Sequence, residues 1–129
     1  MAYNILIVDD SAIVRAVIKK ALTISGVDMG ELFNAPDGKI ALEIVESEWV
    51  DLVLADINMP VMGGIEMVKK MSEDGLLATI PVIIVSTEGS STRIDELKAQ
   101  GVSAYIRKPF TPEQIREAVD EVMGEKNGS

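Results

Sequence analysis

Two of the side chains that most often carry chemistry are missing. The chain has no cysteine, so it forms neither a disulfide nor a thiolate metal site, and nothing in it calls for an oxidising compartment. It has no histidine either, which removes imidazole metal ligands, Ser-His triads and a phosphohistidine relay carried by the chain itself. Positive charge is in deficit: 12 basic residues face 21 acidic ones, for a net charge of −9. Such a surface repels phosphate backbones and argues against direct nucleic-acid binding. Polar or charged residues interrupt every apolar run well short of the ~20 residues that span a bilayer, and the N-terminus has no signal-peptide pattern. The expected location is the cytoplasm, with no membrane contact. What remains for chemistry is carboxylates, hydroxyls, lysines and backbone.

The 129 residues fit one domain. At this size roughly two-thirds of the unfolded surface can be buried, so no staples are needed. No linker, repeat or low-complexity segment interrupts the chain, and the expected folded core is 3–123, with 124–129 a flexible tail. Ile5-Leu-Ile-Val8 is a short, β-branched apolar run and reads as a strand buried on both faces. Val14, Val17, Ile18, Ala21 and Leu22 then mark one face of an amphipathic helix, stopped by Gly26. Glu31-Leu-Phe-Asn34 is a weaker strand candidate, and Pro36 suits the start of a helix carrying Ile40, Ala41, Ile44 and Val45. Asp51-Leu-Val-Leu-Ala-Asp56 is the third strand, and Gly63-Gly64 leads into a helix with Met67, Val68 and Met71 inward. Ile80–Val85 is the fourth strand, followed by a helix with Ile94 and Leu97 that ends at Gly101. Ala104-Tyr-Ile106 is the fifth. Thr111-Pro-Glu-Gln114 combines a capping box with proline at the first helical position, opening a helix with Ile115, Ala118, Val119 and Val122 inward.

Five β-α units in alternation predict an α/β fold: an open, parallel, doubly wound sheet with helices on both faces, since five units are too few for an eight-fold barrel. The functional edge of such a sheet is the set of loops after the strand C-termini. Asp9, Asp10 and Ser11 follow the first strand; Asp56 and Asn58 follow the third; Ser86, Thr87 and Glu88 follow the fourth; Lys108 follows the fifth. Clustered carboxylates repel one another unless a cation or protons compensate. A hard divalent cation with oxygen ligands does this, and Mg²⁺ commonly binds phosphate at the same time. Lysine cannot ligate that metal, so its partner is another anion, and a phosphoryl group fits. Ser86 can donate a hydrogen bond to the same group. The rim therefore suggests phosphoryl transfer to a carboxylate, a chemically sound nucleophile for it.

Five segments now carry a resemblance: Ile7-Val-Asp9-Asp10-Ser, Ala35-Pro-Asp-Gly-Lys-Ile-Ala-Leu42, Asp51–Pro60 with Gly64, Val85-Ser86-Thr, and Lys108-Pro-Phe110. In this order, each at the end of its element, they resemble the receiver domain of response regulators, the CheY-like family of two-component signalling, over about Tyr3 to Met123. The resemblance implies a five-stranded flavodoxin-like sheet of order 2-1-3-4-5 with five helices. It implies that Asp56 is the phosphoacceptor, loaded from the phosphohistidine of a sensor histidine kinase or phosphotransfer protein. Asp10, Asp56 and the backbone carbonyl of Asn58 would ligate Mg²⁺, and Asp9 would hold it through water. Lys108 would pair with the acceptor or the phosphoryl oxygens, Ser86 would move toward the phosphoryl group, and Tyr105 would follow as the switch aromatic. The Lys108-Pro109 bond is expected to be cis. The chain would not be an enzyme beyond its own phosphorylation and dephosphorylation. With no output domain following residue 123, a stand-alone regulator would act on a protein target through helix 4, strand 5 and helix 5.

Other readings fit less well. A flavin mononucleotide site needs a glycine- and hydroxyl-rich phosphate loop where Asp9-Asp10 stand. A haloacid-dehalogenase-like phosphatase needs a second acid where Asn58 stands, and an EF-hand needs a third acid and a glycine after Asp56. The alternative kept open is a pseudo-receiver, an interaction adaptor that is never phosphorylated. Trp49 precedes the third strand and is expected to report poorly on metal binding.

Overall fold

Alternation along doubly buried strands divides the interior in two. The computed structural model describes residues 2–75, 77–87 and 91–126. Its strands β1 (Tyr3–Val8), β2 (Met29–Ala35), β3 (Leu52–Ala55), β4 (Val82–Ser86) and β5 (Ala104–Arg107) pair in parallel in the order β2-β1-β3-β4-β5. Helices α1 (Ala12–Ser25), α2 (Gly38–Ser47), α3 (Gly64–Glu73), α4 (Ser91–Ala99) and α5 (Pro112–Lys126) connect or follow them, and a short 3₁₀ turn, Leu77–Thr79, precedes β4. This is the expected α/β doubly wound sheet. Ile5, Ile7, Leu52, Leu54, Ile83, Val85 and Ile106 pack on one face against α1 and α5. Leu6, Val8, Val53, Ala55 and Ile84 pack on the other against α2 and α3, with Leu97 of α4. With both faces covered, the strands read as continuous apolar runs rather than alternating ones.

The helix ends follow local chemistry. The Ser11 hydroxyl accepts from the Val14 N–H at 3.2 Å, making Ser11 the cap of α1. Gly26 closes α1 at φ 82°, where a side chain would be strained. The Asp37 carboxylate caps α2 through the Ile40 N–H at 2.9 Å, so Pro36 stands ahead of the cap, not inside the helix. The capping box of α5 is reciprocal: the Gln114 N–H reaches Thr111 Oγ1 at 3.2 Å, and Gln114 Oε1 accepts from the Thr111 N–H at 2.8 Å. The Lys108-Pro109 bond is cis. Helix α5 runs through Lys126, and residues 127–129 of the expected tail lie outside the described residues.

Three local expectations change. Val17 is 52% exposed, because Val14, Ile18, Ala21 and Leu22 already fill the stripe of α1 that faces the sheet and α5. Strand β2 is longer than Glu31–Asn34. Its first part, Met29-Gly30, is hidden in the sequence by Gly30; here the ladder with β1 shifts register, and Asn4 Oδ1 accepts from the Glu31 N–H at 2.8 Å. Strand β4 begins at Val82, after Pro81, and takes in Ser86. Trp49 lies at the strand N-terminal edge, its indole N–H on Asp51 Oδ1 at 3.0 Å, at the opposite end of the sheet from the carboxylate rim. These burials separate two neighbours on α1. In chemical denaturation, Ile18→Ala should cost about 2–5 kcal/mol, whereas Val17→Ala should change stability by no more than about 0.5 kcal/mol.

Candidate functional site

Strand pairing builds the site. Val8 of β1 stands opposite Ala55 of β3, so the next residues, Asp9 and Asp56, leave the sheet side by side. The Asp56 N–H donates to the Val8 carbonyl at 3.0 Å and the Asp9 N–H to the Ala35 carbonyl at 3.0 Å, which carries the ladder one step past the strands. The β1–β3 junction is also where the chain reverses its direction of winding, the usual ligand crevice of an open α/β sheet. Carboxylate oxygens of Asp9, Asp10 and Asp56 lie within 4.8 Å of one another. Asp9 is buried, Asp56 half-buried and Asp10 exposed.

Lys108 reaches this group from the far side of the sheet. Its backbone N–H donates to the Ser86 carbonyl at 2.9 Å, which extends the β4–β5 ladder and aims the side chain at the rim. Its Nζ lies 3.2 Å from Asp9 Oδ2 and 3.7 Å from Asp56 Oδ2. The lysine thus serves Asp9 first and Asp56 second, where the resemblance pointed to Asp56 or the phosphoryl oxygens. Burial explains the order, since Asp9 is 2% exposed and an uncompensated charge there is costly. Asp9 is held at every oxygen: Oδ1 accepts from the Ser11 N–H at 2.9 Å, Oδ2 from Lys108, and the backbone carbonyl from Arg15 Nη1. Asp56 Oδ1 accepts from the Ile57 N–H at 2.7 Å. Arg15 was missed in the sequence; its one signal was a guanidinium in the first turns of the helix that starts at the acid pair.

The remaining candidates lie close by in the fold. Ser86 is buried as the last residue of β4, and alternation puts it on the same sheet face as Val82 and Ile84. Tyr105 is half-buried against that same core. The Asn58 side chain is exposed, as is Thr87, while Glu88 lies outside the described residues. Between α4, β5 and α5 runs a groove of about 710 Å³ lined by Ile94, Lys98, Tyr105, Arg107, Glu117 and Glu121 among others. The loop from β3 to α3 holds a second feature absent from the sequence reading. Val61 has φ 66°, and the Met62 N–H donates to the Pro60 carbonyl at 2.6 Å, a three-residue γ-turn. A β-branched residue in this region is strained by about 1–3 kcal/mol.

The donor set suits a hard divalent cation. It offers oxygens alone, three of them from carboxylates, on a rim where a lysine balances part of the charge. Among the described residues this is the one cluster of three or more potential metal-ligating side chains.

Comparison with known proteins places this geometry. The family model described as the response regulator receiver domain matches residues 5–120. The chain belongs to the response regulator receiver family. A chemotaxis protein CheY homolog of Campylobacter jejuni is 37% identical to this receiver domain over 126 residues, covering 97% of this chain and 95% of that protein. The solved structure of Vibrio cholerae CheY4 has a TM-score of 0.83 at 32% identity, covering 95% of this chain and 99% of that one. The receiver domain of the Pseudomonas aeruginosa sensor histidine kinase PA1611, with a magnesium ion coordinated in its active-site cleft, shares the fold with a TM-score of 0.83 at 21% identity, covering 96% and 99%. Receiver domains of this type are signalling proteins rather than conventional enzymes, and phosphorylation-based signalling is the activity of the family. No helix among the described residues is long and apolar enough to cross a membrane.

Two substitutions probe this geometry. Lys108→Met should lower stability by about 2–3 kcal/mol by stranding the buried Asp9 charge, and added Mg²⁺ should recover part of the loss through mass action, read as the melting temperature across a Mg²⁺ series. Val61→Asn should raise stability by about 1 kcal/mol, because asparagine tolerates positive φ and the lost valine side chain is exposed.

Proposed function

We propose that this receiver domain accepts a phosphoryl group on Asp56 from the phosphohistidine of a sensor histidine kinase or phosphotransfer protein, and that the modified form engages a protein target. The observation that carries the reading is the convergence of Asp9, Asp10 and Asp56 within 4.8 Å with Lys108 Nζ beside two of them. In the transfer, the phosphorus–nitrogen bond of the donor breaks and a phosphorus–oxygen bond to the Asp56 carboxylate forms. Asp56 Oδ1 is steadied by the Ile57 N–H, which orients the carboxylate, and Oδ2 faces Lys108. Lys108 then has a choice of anions: it can keep Asp9 or turn to the phosphoryl oxygens, 3.2 and 3.7 Å being its present distances to the two carboxylates.

Asp10, Asp56 and the Asn58 carbonyl would hold Mg²⁺, with Asp9 acting through water. What Mg²⁺ supplies when bound is neutralisation of the charge shared by the acid cluster and a phosphoryl group. Asp9 suits an indirect role because Ser11, Arg15 and Lys108 already engage its oxygens. Ser86, at the end of β4, would be drawn toward the phosphoryl oxygens, and Tyr105, on the same sheet face, would follow. That displacement would bias the face formed by α4, β5 and α5, whose groove would receive the target. In this reading the chain works as one receiver unit with a core at 3–123, in the cytoplasm.

Incubation with Mg²⁺ and acetyl phosphate should add one phosphoryl group to the intact mass, and Asp56→Asn should abolish the addition. An unmodified mass beside a working positive control would sink the acceptor reading and leave the non-phosphorylated adaptor in its place. A label that survives Asp56→Asn would move the acceptor elsewhere.

A further inference from the structure

The acceptor is also held from behind, by the start of α3. The Gly64 N–H donates to the Ile57 carbonyl at 2.9 Å, which lays the first turn of the helix directly on the peptide after Asp56. A Cβ built on Gly64 would overlap the Asp56 carbonyl oxygen and stand 3.2 Å from the Asp56 carbonyl carbon and 3.3 Å from Ile57 Cα. These are backbone atoms tied into the sheet, where the Asp56 N–H donates to Val8, so they have little room to give. The loop between is closed on its other side as well: the Gly38 N–H donates to the Met62 carbonyl at 2.9 Å, and a Cβ on Gly38 would come within 2.9 Å of that oxygen. Gly75, by contrast, has open space where a Cβ would stand.

We infer that Gly64 is a positioning residue for Asp56: the absence of its side chain lets α3 seat against the acceptor peptide and sets where the Asp56 carboxylate stands relative to Asp10. This rests on the acceptor and metal reading above. Glycine at this place is a requirement of the site, not of the helix, since alanine is the better helix former. An added methyl moves the helix start or the Asp56 peptide, and either movement separates the two carboxylates that share one cation.

The test is Mg²⁺ affinity, measured by titration calorimetry on the full chain, together with the rate of labelling by acetyl phosphate. Gly64→Ala should weaken Mg²⁺ binding about tenfold and slow labelling by at least as much, with the circular dichroism of the folded protein retained. Met71→Ala, which removes a buried side chain from the far end of the same helix, should lower stability yet leave Mg²⁺ affinity within about twofold of wild type. Should Gly64→Ala fail to fold, Gly63→Ala serves in its place. Its Cβ would meet the Ile57 carbonyl oxygen at 2.7 Å, one peptide further on, and a loss of about threefold is expected. Wild-type Mg²⁺ affinity in the glycine variant that folds overturns the inference, as does an equal loss in Met71→Ala or an absence of Mg²⁺ binding in the wild type. Wild-type protein that binds Mg²⁺ but takes no phosphoryl group defeats the acceptor reading alone, because the ranking of Mg²⁺ affinities still decides the place of Gly64.

Discussion

Parallel pairing of β1 with β3 forces Asp9 and Asp56 to leave the sheet as neighbours, and much of the molecule answers to the charge this concentrates. Two carboxylates at adjacent strand ends repel each other, and a third, Asp10, follows directly. Nothing in β1 or β3 relieves this; both strands are apolar over the four residues that lead to the rim. Relief comes from β5, at the sheet edge, whose ladder with β4 is extended by the Lys108 N–H on the Ser86 carbonyl, so that the lysine reaches inward to Asp9. The core serves the same end. Residues such as Ile7, Leu54 and Ile83 on one face and Val53 and Ile84 on the other bury the strands on both sides, leaving the rim as the place where charge can collect.

The division of labour among the three acids follows from their burial. Asp9 is enclosed and has each oxygen occupied by Ser11, Lys108 or Arg15, so it acts as a fixed negative post. Asp56 is half-buried, tied at one oxygen to its neighbour's N–H, with the other toward the lysine. Asp10 is exposed. A cation approaching from solvent meets Asp10 and Asp56 before Asp9. Lys108 is the counter-charge, with both Asp9 and Asp56 in reach of its ammonium. The strained turn at Val61 and the close approach of Gly64 to the Asp56 peptide belong to the same loop, which is short and must bring α3 back over the strand end.

Much of this was legible beforehand because it is written in one dimension. Strand-length apolar runs, each stopped by an acid, a hydroxyl or a lysine, named Asp9, Asp10, Asp56, Ser86 and Lys108 without a structure. The reciprocal cap of Thr111 and Gln114 and the left-handed Gly26 and Gly101 are local devices, and local devices read well. Periodicity alone misled at Val17, since five apolar residues fit one helical face while the sheet and α5 leave room for a narrower stripe. The early part of β2, Met29-Gly30, was missed because Gly30 looks unlike a strand; Asn4, distant in sequence, supplies a hydrogen bond to the adjoining Glu31 N–H. Arg15 gave almost no signal, because an arginine near a helix start is ordinary until the fold brings it to a carbonyl six residues back.

The sequence by itself determined the alternation of elements, the parallel class of the sheet and the roster of groups at its C-terminal edge. Each depends on hydrophobic period and turn chemistry within a few residues. The order of strands was reached only through family resemblance. Tertiary structure decided the partnerships: that Lys108 stands nearer Asp9 than Asp56, that Arg15 holds the Asp9 carbonyl, that Val61 turns at positive φ, and that Gly64 leaves room for the Asp56 peptide. These are contacts between segments far apart in the chain or closures of a short loop between fixed ends. Their distances are set by how the sheet twists and the helices seat, which no window of sequence contains.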